Sequence, residues 1–138
     1  MLAYPKVLLL SSDETETSVM EKILSEHVIL RSIGDLAELR NHLDGAYDAL
    51  FCGWSFQKGG WNEALRQVRK RCPDLPVVIF SRVGGEQEWV EALEAGAFDL
   101  LVAPYLKRNV LPLLEHAVAS HEARRWHNAA FRNSAMAV

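Results

Sequence analysis

Few side chains in this 138-residue chain have the types and positions for chemistry. Ser11, Ser12 and Asp13 follow one apolar run, Cys52 closes another, and Ser81 with Arg82 follows a third. A hydroxyl or thiol attacks only when a neighbouring base takes its proton. None of the five histidines (His27, His42, His116, His121, His127) lies near these residues in sequence. His116 and His121 are five apart and share no ideal ligand face on a helix. Cys52 belongs inside its apolar run and reads as a small hydrophobe. Asp13 with Glu16 three residues on reads as a helix N-cap and capping box. Arg82 and the Gly84-Gly85 turn, assisted by Lys58, form the closest approach to an anion cradle, because a helix start directs backbone N–H groups outward. The spacing of a phosphate-binding motif is missing. Covalent catalysis, a bound metal and a cofactor are therefore not expected.

These clusters are positioned by five short apolar runs: Val7 to Leu10, Val28 to Leu30, Ala49 to Cys52, Val77 to Phe80 and Leu100 to Ala103. The runs lack the in/out alternation of a half-exposed sheet, which predicts strands buried on both faces. Helix-period stripes separate them: Val19, Met20, Ile23 and Leu24, then Leu36, Leu39 and Leu43, then Trp61, Ala64, Leu65 and Val68. Trp89, Val90 and Leu93 mark a fourth helix closed by Gly96. Val110, Leu111, Leu114, Ala117 and Val118 mark a fifth, reaching toward the 120s. Strand and helix alternate five times, which predicts an α/β fold with a parallel sheet and helices on both faces. Such a sheet keeps its functional crevice at the carboxyl ends of its strands. Those ends are Ser11-Ser12-Asp13, Gly53, Ser81-Arg82 and Ala103-Pro104.

The length fits one domain with a proper core. A formal charge of −3 and a pI near 5.9 give no electrostatic footprint for nucleic acid or an anionic membrane. Cys52 and Cys72 show neither metal spacing nor a disulfide framework, and a reduced cytosol suits them best. The first residues, MLAYPKVLLLSSDE, have too short an apolar run for a signal peptide or membrane span. The expectation is a cytoplasmic protein.

Four stretches in order, KVLLL with its polar cluster, YDALFCGW, LPVVIFS and EAGAFDLLVAPY, resemble the receiver domain of two-component response regulators. The resemblance covers roughly residues 5 to 120. It implies a flavodoxin-like αβα sandwich with five parallel strands in the order 2-1-3-4-5, residues 1–120 as the domain, and 121–138 as a helical extension or linker. In that family an acidic pair after strand one holds Mg²⁺, and an aspartate ending strand three accepts a phosphoryl group. A Ser or Thr ends strand four, and a lysine ending strand five pairs with the phosphate. Metal and lysine offset the crowded negative charge of the reaction.

Carried onto this sequence, the acidic pair falls on Ser11 and Ser12, the acceptor on Gly53 and the lysine on Ala103. Only Ser81 keeps the family's type, and a reporter aromatic falls near Leu100. A one-residue slip would make Ser12-Asp13 the metal pair, with a single carboxylate. The resemblance thus implies a degenerate receiver, not an enzyme, signalling through protein contact without phosphorylation. Two alternatives stay open. One is a pseudo-receiver sensing a small anion or nucleotide, with Lys58 and Arg82 as contacts. The other retains residual metal or phosphoryl chemistry through Asp13 and Ser81. The implied interaction face comprises Trp89, Leu100, Tyr105 and Trp126, with a protein partner or an attached output domain. A homodimer through helix four, strand five and helix five, or through the C-terminal helix, is also implied. HAVASHEARRWHNAAFRNSAMAV is helix-prone, with Trp126 and Phe131 past the usual end of a receiver.

Overall fold

The computed structural model describes residues 4–54 and 60–136, with side chains described up to residue 124. Five parallel strands form one sheet in the order β2-β1-β3-β4-β5. They are β1 (Lys6–Leu10), β2 (Ile29–Ile33), β3 (Ala49–Gly53), β4 (Val77–Ser81) and β5 (Asp99–Val102). The helices between and after them are α1 (Glu14–Leu24), α2 (Leu36–His42), α3 (Gly60–Arg71), α4 (Glu86–Ala95) and α5 (Lys107–Met136). This is the flavodoxin-like order expected from the alternation, and β3 lies at its centre.

All of β3 and β4 is buried, as the unbroken apolar runs require. One core lies on the α2–α3 side and includes Leu8, Leu10, Leu39, Trp61, Leu65, Val68 and Ile79. The other lies under α1 and α5 and includes Leu9, Met20, Leu24, Phe51, Phe80 and Leu114. Alternate residues of one strand serve opposite cores, so Leu8 and Leu9 point to different helix layers.

Three expectations change. The strand β2 begins at Ile29 and includes Arg31 and Ser32, both exposed, because it is the sheet edge and pairs only with β1. In α1, Val19 faces solvent, and the buried line is Glu16, Met20, Ile23 and Leu24. In α4, Trp89 and Val90 point outward and Ala92 is the buried residue. Gly96 ends α4 as expected. Its φ of 106° is left-handed, and the Gly96 and Ala97 N–H groups donate back to Leu93 O and Ala92 O. The helix α5 is continuous for 30 residues, and His121 is its last buried side chain among the described residues.

Candidate functional site

The carboxyl ends of β1, β3, β4 and β5 bring Ser11, Gly53, Ser81 and Ala103 to one edge of the sheet. At its centre Gly53 carries no side chain, and a methyl built there would meet the Phe80 ring at 3.5 Å and Ser11 Oγ at 3.6 Å. These are ordinary contacts, so the backbone does not demand glycine. The Trp54 N–H donates to Phe80 O at 2.8 Å, and its indole stacks on Trp61 with ring centroids 4.5 Å apart and an interplanar angle of 19°. Trp54 thereby joins the α3 side of the core.

The hydroxyls at this edge are engaged with their own loops. Ser81 is buried; its Oγ donates to Val83 O at 2.5 Å and accepts from Val83 N–H at 3.3 Å. Ser11 Oγ accepts from Asp13 N–H at 3.3 Å. Ser12 is exposed, and Ala103 is half-buried with its N–H donating to Ser81 O at 2.9 Å. Cys52 is fully buried, and burial pushes its thiol up to about 12, far from a working nucleophile.

Asp13 caps α1 as expected, its Oδ1 accepting from Glu16 N–H at 2.9 Å. The reciprocal half of the capping box does not form. Ser11 takes the Asp13 N–H, and the Glu16 side chain turns inward instead. Glu16 is only 4% exposed. Its Oε2 accepts from the Tyr105 hydroxyl at 2.5 Å, and its Oε1 lies 3.5 Å from Arg82 Nε. The other arm of the guanidinium, Nη2, bonds Asp13 Oδ2. Arg82 therefore spans the N-cap carboxylate of α1 and that of Glu16 within it, from the end of β4. The Glu16 backbone N–H and then Arg82 hold the Asp13 carboxyl below its usual range. Burial, reinforced by the hydrogen bond to Glu16, pushes the Tyr105 phenol well above its usual value, so it stays a neutral donor. The ring of Tyr105 meets Phe80 edge-on at 5.7 Å.

These contacts decide whether the family's divalent cation fits. Mg²⁺ demands near-octahedral oxygen ligands and prefers several anionic ones. All four oxygens of Asp13 and Glu16 already have partners within the chain, and Gly53 and Ala103 offer no donor side chain. Among the described residues no group of three or more His, Cys, Asp or Glu side chains converges. The donor set does not fit the ion.

The other site expectations divide. Lys58 lies outside the described residues, and so does the side chain of Trp126. Trp89 is 45% exposed, and its Nε1–H donates to Asp99 Oδ1 at 3.0 Å. Val83, in the loop before α4, and Val90, on α4, are exposed as well. Leu100 is 7% exposed and packs into the core, because its position in β5 points between the helices. Tyr105 is turned inward toward Glu16. Leu100 is thus off the outer surface, and Tyr105 is half-buried. The anion cradle at α4 is partly closed as well, since Glu88 accepts from the Gly85 N–H at 2.9 Å.

The burial of Glu16 and His121 was not expected from the sequence. Glu16 precedes Met20, Ile23 and Leu24 by four, seven and eight residues, the spacing that puts it on the buried stripe. His121 follows Leu114 and Ala117 on the buried stripe of α5 and meets Asp48 at 3.2 Å (Nδ1 to Oδ1). The stripes signalled both burials; the partners came from distant segments.

No protein-family model matches the chain. It is 26% identical over 112 residues to the response regulator RppA of Synechocystis, covering 78% of this chain and 48% of that protein. The chain thus spans about half the length of this curated relative. Among solved structures, a CheY-like response regulator receiver domain from Methanospirillum hungatei superposes with a TM-score of 0.76 at 15% identity, covering 88% of this chain and 99% of that one. NtrX from Brucella abortus superposes with a TM-score of 0.81 at 23% identity, covering 92% of this chain and 29% of that one. The fold is that of a response regulator receiver domain.

Proposed function

We propose that this chain is a receiver-type module of two-component signalling that acts by protein contact, without aspartyl phosphorylation and without catalysing a reaction of its own. The observation that carries the reading is Gly53. It ends the central strand where the resemblance puts the phosphoacceptor, and it has no side chain to modify. Ala103 likewise offers no cation to a phosphate. The two alternatives, an anion sensor and a residual phosphoryl chemistry, both need Arg82, Asp13 or Ser81, and each of these is bonded within the chain.

The contact surface in this reading comprises the exposed apolar residues Val83, Trp89 and Val90 on and beside α4, together with the extension 121–138. An exposed apolar patch of this kind marks a docking site when it is contiguous. A protein partner, an attached output domain or a second copy is the kind of occupant it fits, and RppA is about twice the length matched. The acidic balance argues against nucleic acid as a direct partner. No helix among the described residues is long and apolar enough to cross a membrane, and the cytoplasm is the compartment proposed.

The test uses the full chain with Mg²⁺ and beryllofluoride, followed by tryptophan fluorescence, since Trp54 adjoins Gly53. A parallel sample is exposed to a small-molecule phosphodonor and weighed intact. The expected result is no saturable Mg²⁺-dependent fluorescence change and an unaltered mass. A phosphoryl adduct would refute the proposal.

A further inference from the structure

A buried carboxylate beside a second carboxylate needs a positive charge nearby, or one of the two must take up a proton. Here the positive charge comes from Arg82, half-exposed at the end of β4. We propose that Arg82 is the resident cation of this corner: its guanidinium lies between Asp13 and Glu16, supplies their countercharge and keeps both acids from a metal ion. The inference deepens the reading above and rests on it.

Three observations carry it. The guanidinium bonds Asp13 Oδ2 through Nη2 and lies 3.5 Å from Glu16 Oε1 through Nε, so one group addresses one oxygen of each acid. The remaining oxygens are taken by the Glu16 N–H at 2.9 Å and the Tyr105 hydroxyl at 2.5 Å. Each of the four carboxylate oxygens has to be released before an incoming ion can use it. Arg82 also reaches across elements. It ties the end of β4 to the start of α1, and through Glu16 to Tyr105 in the loop between β5 and α5. A guanidinium stays charged at any accessible pH and has a fixed planar fork, so this internal cation neither dissociates nor changes protonation state.

The consequence is a latent cation site. Removing the guanidinium frees Asp13 Oδ2 and Glu16 Oε1 together, leaving two carboxyl oxygens without their countercharge and open to a divalent ion that can supply it. The experiment titrates Mn²⁺ into the full-length protein and follows the electron paramagnetic resonance signal of the free ion. Wild type should leave the signal unchanged. Arg82→Ala and Arg82→Gln should each bind one Mn²⁺ at least about tenfold more tightly, the scale set by removing a positive charge in contact with the site. Adding Asp13→Asn or Glu16→Gln should abolish the gain. Arg82→Lys, which keeps the charge and disturbs the fold least, should exclude Mn²⁺ as wild type does.

Mn²⁺ binding by the wild type, failure of both neutral variants to gain it, or a gain equally present in Arg82→Lys would each overturn the proposal. The two readings fail separately. Mn²⁺ on the wild type removes the internal-cation argument and leaves the missing acceptor untouched, whereas a phosphoryl adduct removes the phosphorylation-independent reading whatever Mn²⁺ does.

Discussion

An alanine methyl at Gly53 would rest on Phe80 and Ser11 Oγ at 3.5–3.6 Å, with no left-handed backbone to relieve. Replacing a glycine at a compatible position narrows the unfolded ensemble, so Gly53→Ala should raise stability by about 0.4 to 1 kcal/mol in urea denaturation. A loss would mean that the site needs the bare backbone, against the view that only a functional side chain has gone. Tyr105 gives the pH test. Its folded-state pKa lies above the ordinary 10.0, so the native state keeps a proton that the unfolded chain releases. That contribution is complete below about pH 10 and is lost as pH rises further. Tyr105→Phe should cost about 1 to 2 kcal/mol at neutral pH, where Glu16 loses its donor. Thermal melts of the variant should then decline less steeply than wild type above pH 10; an equal decline would contradict the assigned hydrogen bond. Asp13, with its pKa lowered from 3.8, works in the other direction, contributing above that pH and losing the contribution as pH falls below it. The missing carboxylate at Gly53 was legible because it is a matter of residue type at a strand end. The Arg82–Glu16–Tyr105 contacts were not, because residues 16, 82 and 105 meet only once the sheet and its loops are assembled.

Elements were legible where both faces are covered. The strands β3 and β4 and the stripe of α3 are buried as their apolar patterns predict. Periodicity misled where a face is open: β2 at the sheet edge carries exposed Arg31 and Ser32, and α4 turns Trp89 outward. Hydrophobic type alone does not say which way a stripe faces; in α4 the small residue Ala92 makes the buried contact. The end of α4 offers a prediction opposite in sign to that at Gly53. Gly96 has φ 106°, and a methyl there would also collide with the Arg69 guanidinium. The arginine is flexible and can withdraw, but the left-handed backbone remains strained for any L side chain. Gly96→Ala should lower stability by about 1 kcal/mol or more, read from the urea midpoint. An unchanged midpoint would contradict the left-handed strain assigned to this turn.

At the scale of the whole molecule, α5 is the longest element among the described residues. Thirty residues of helix extend about 45 Å, while the sheet it covers is only four or five residues deep. Among the described side chains the last buried one is His121, which meets Asp48 at the start of β3. A helical segment of some fifteen residues is marginal in water without a surface to pack on. Continued helix past His121 therefore argues for an occupant, and a second copy is the simplest to test. Deleting residues 122–138 should leave the domain folded, with a melting temperature within a few degrees of the full chain, because the described cores lie before the cut. Sedimentation equilibrium should then give a monomer for the truncated protein and a mass that rises with concentration for the full one. In the full chain, far-ultraviolet circular dichroism should lose helix on dilution, since the segment and its partner order together. A full chain that stays monomeric, with helicity independent of concentration, would exclude self-association and leave the segment to a different protein or to an output domain.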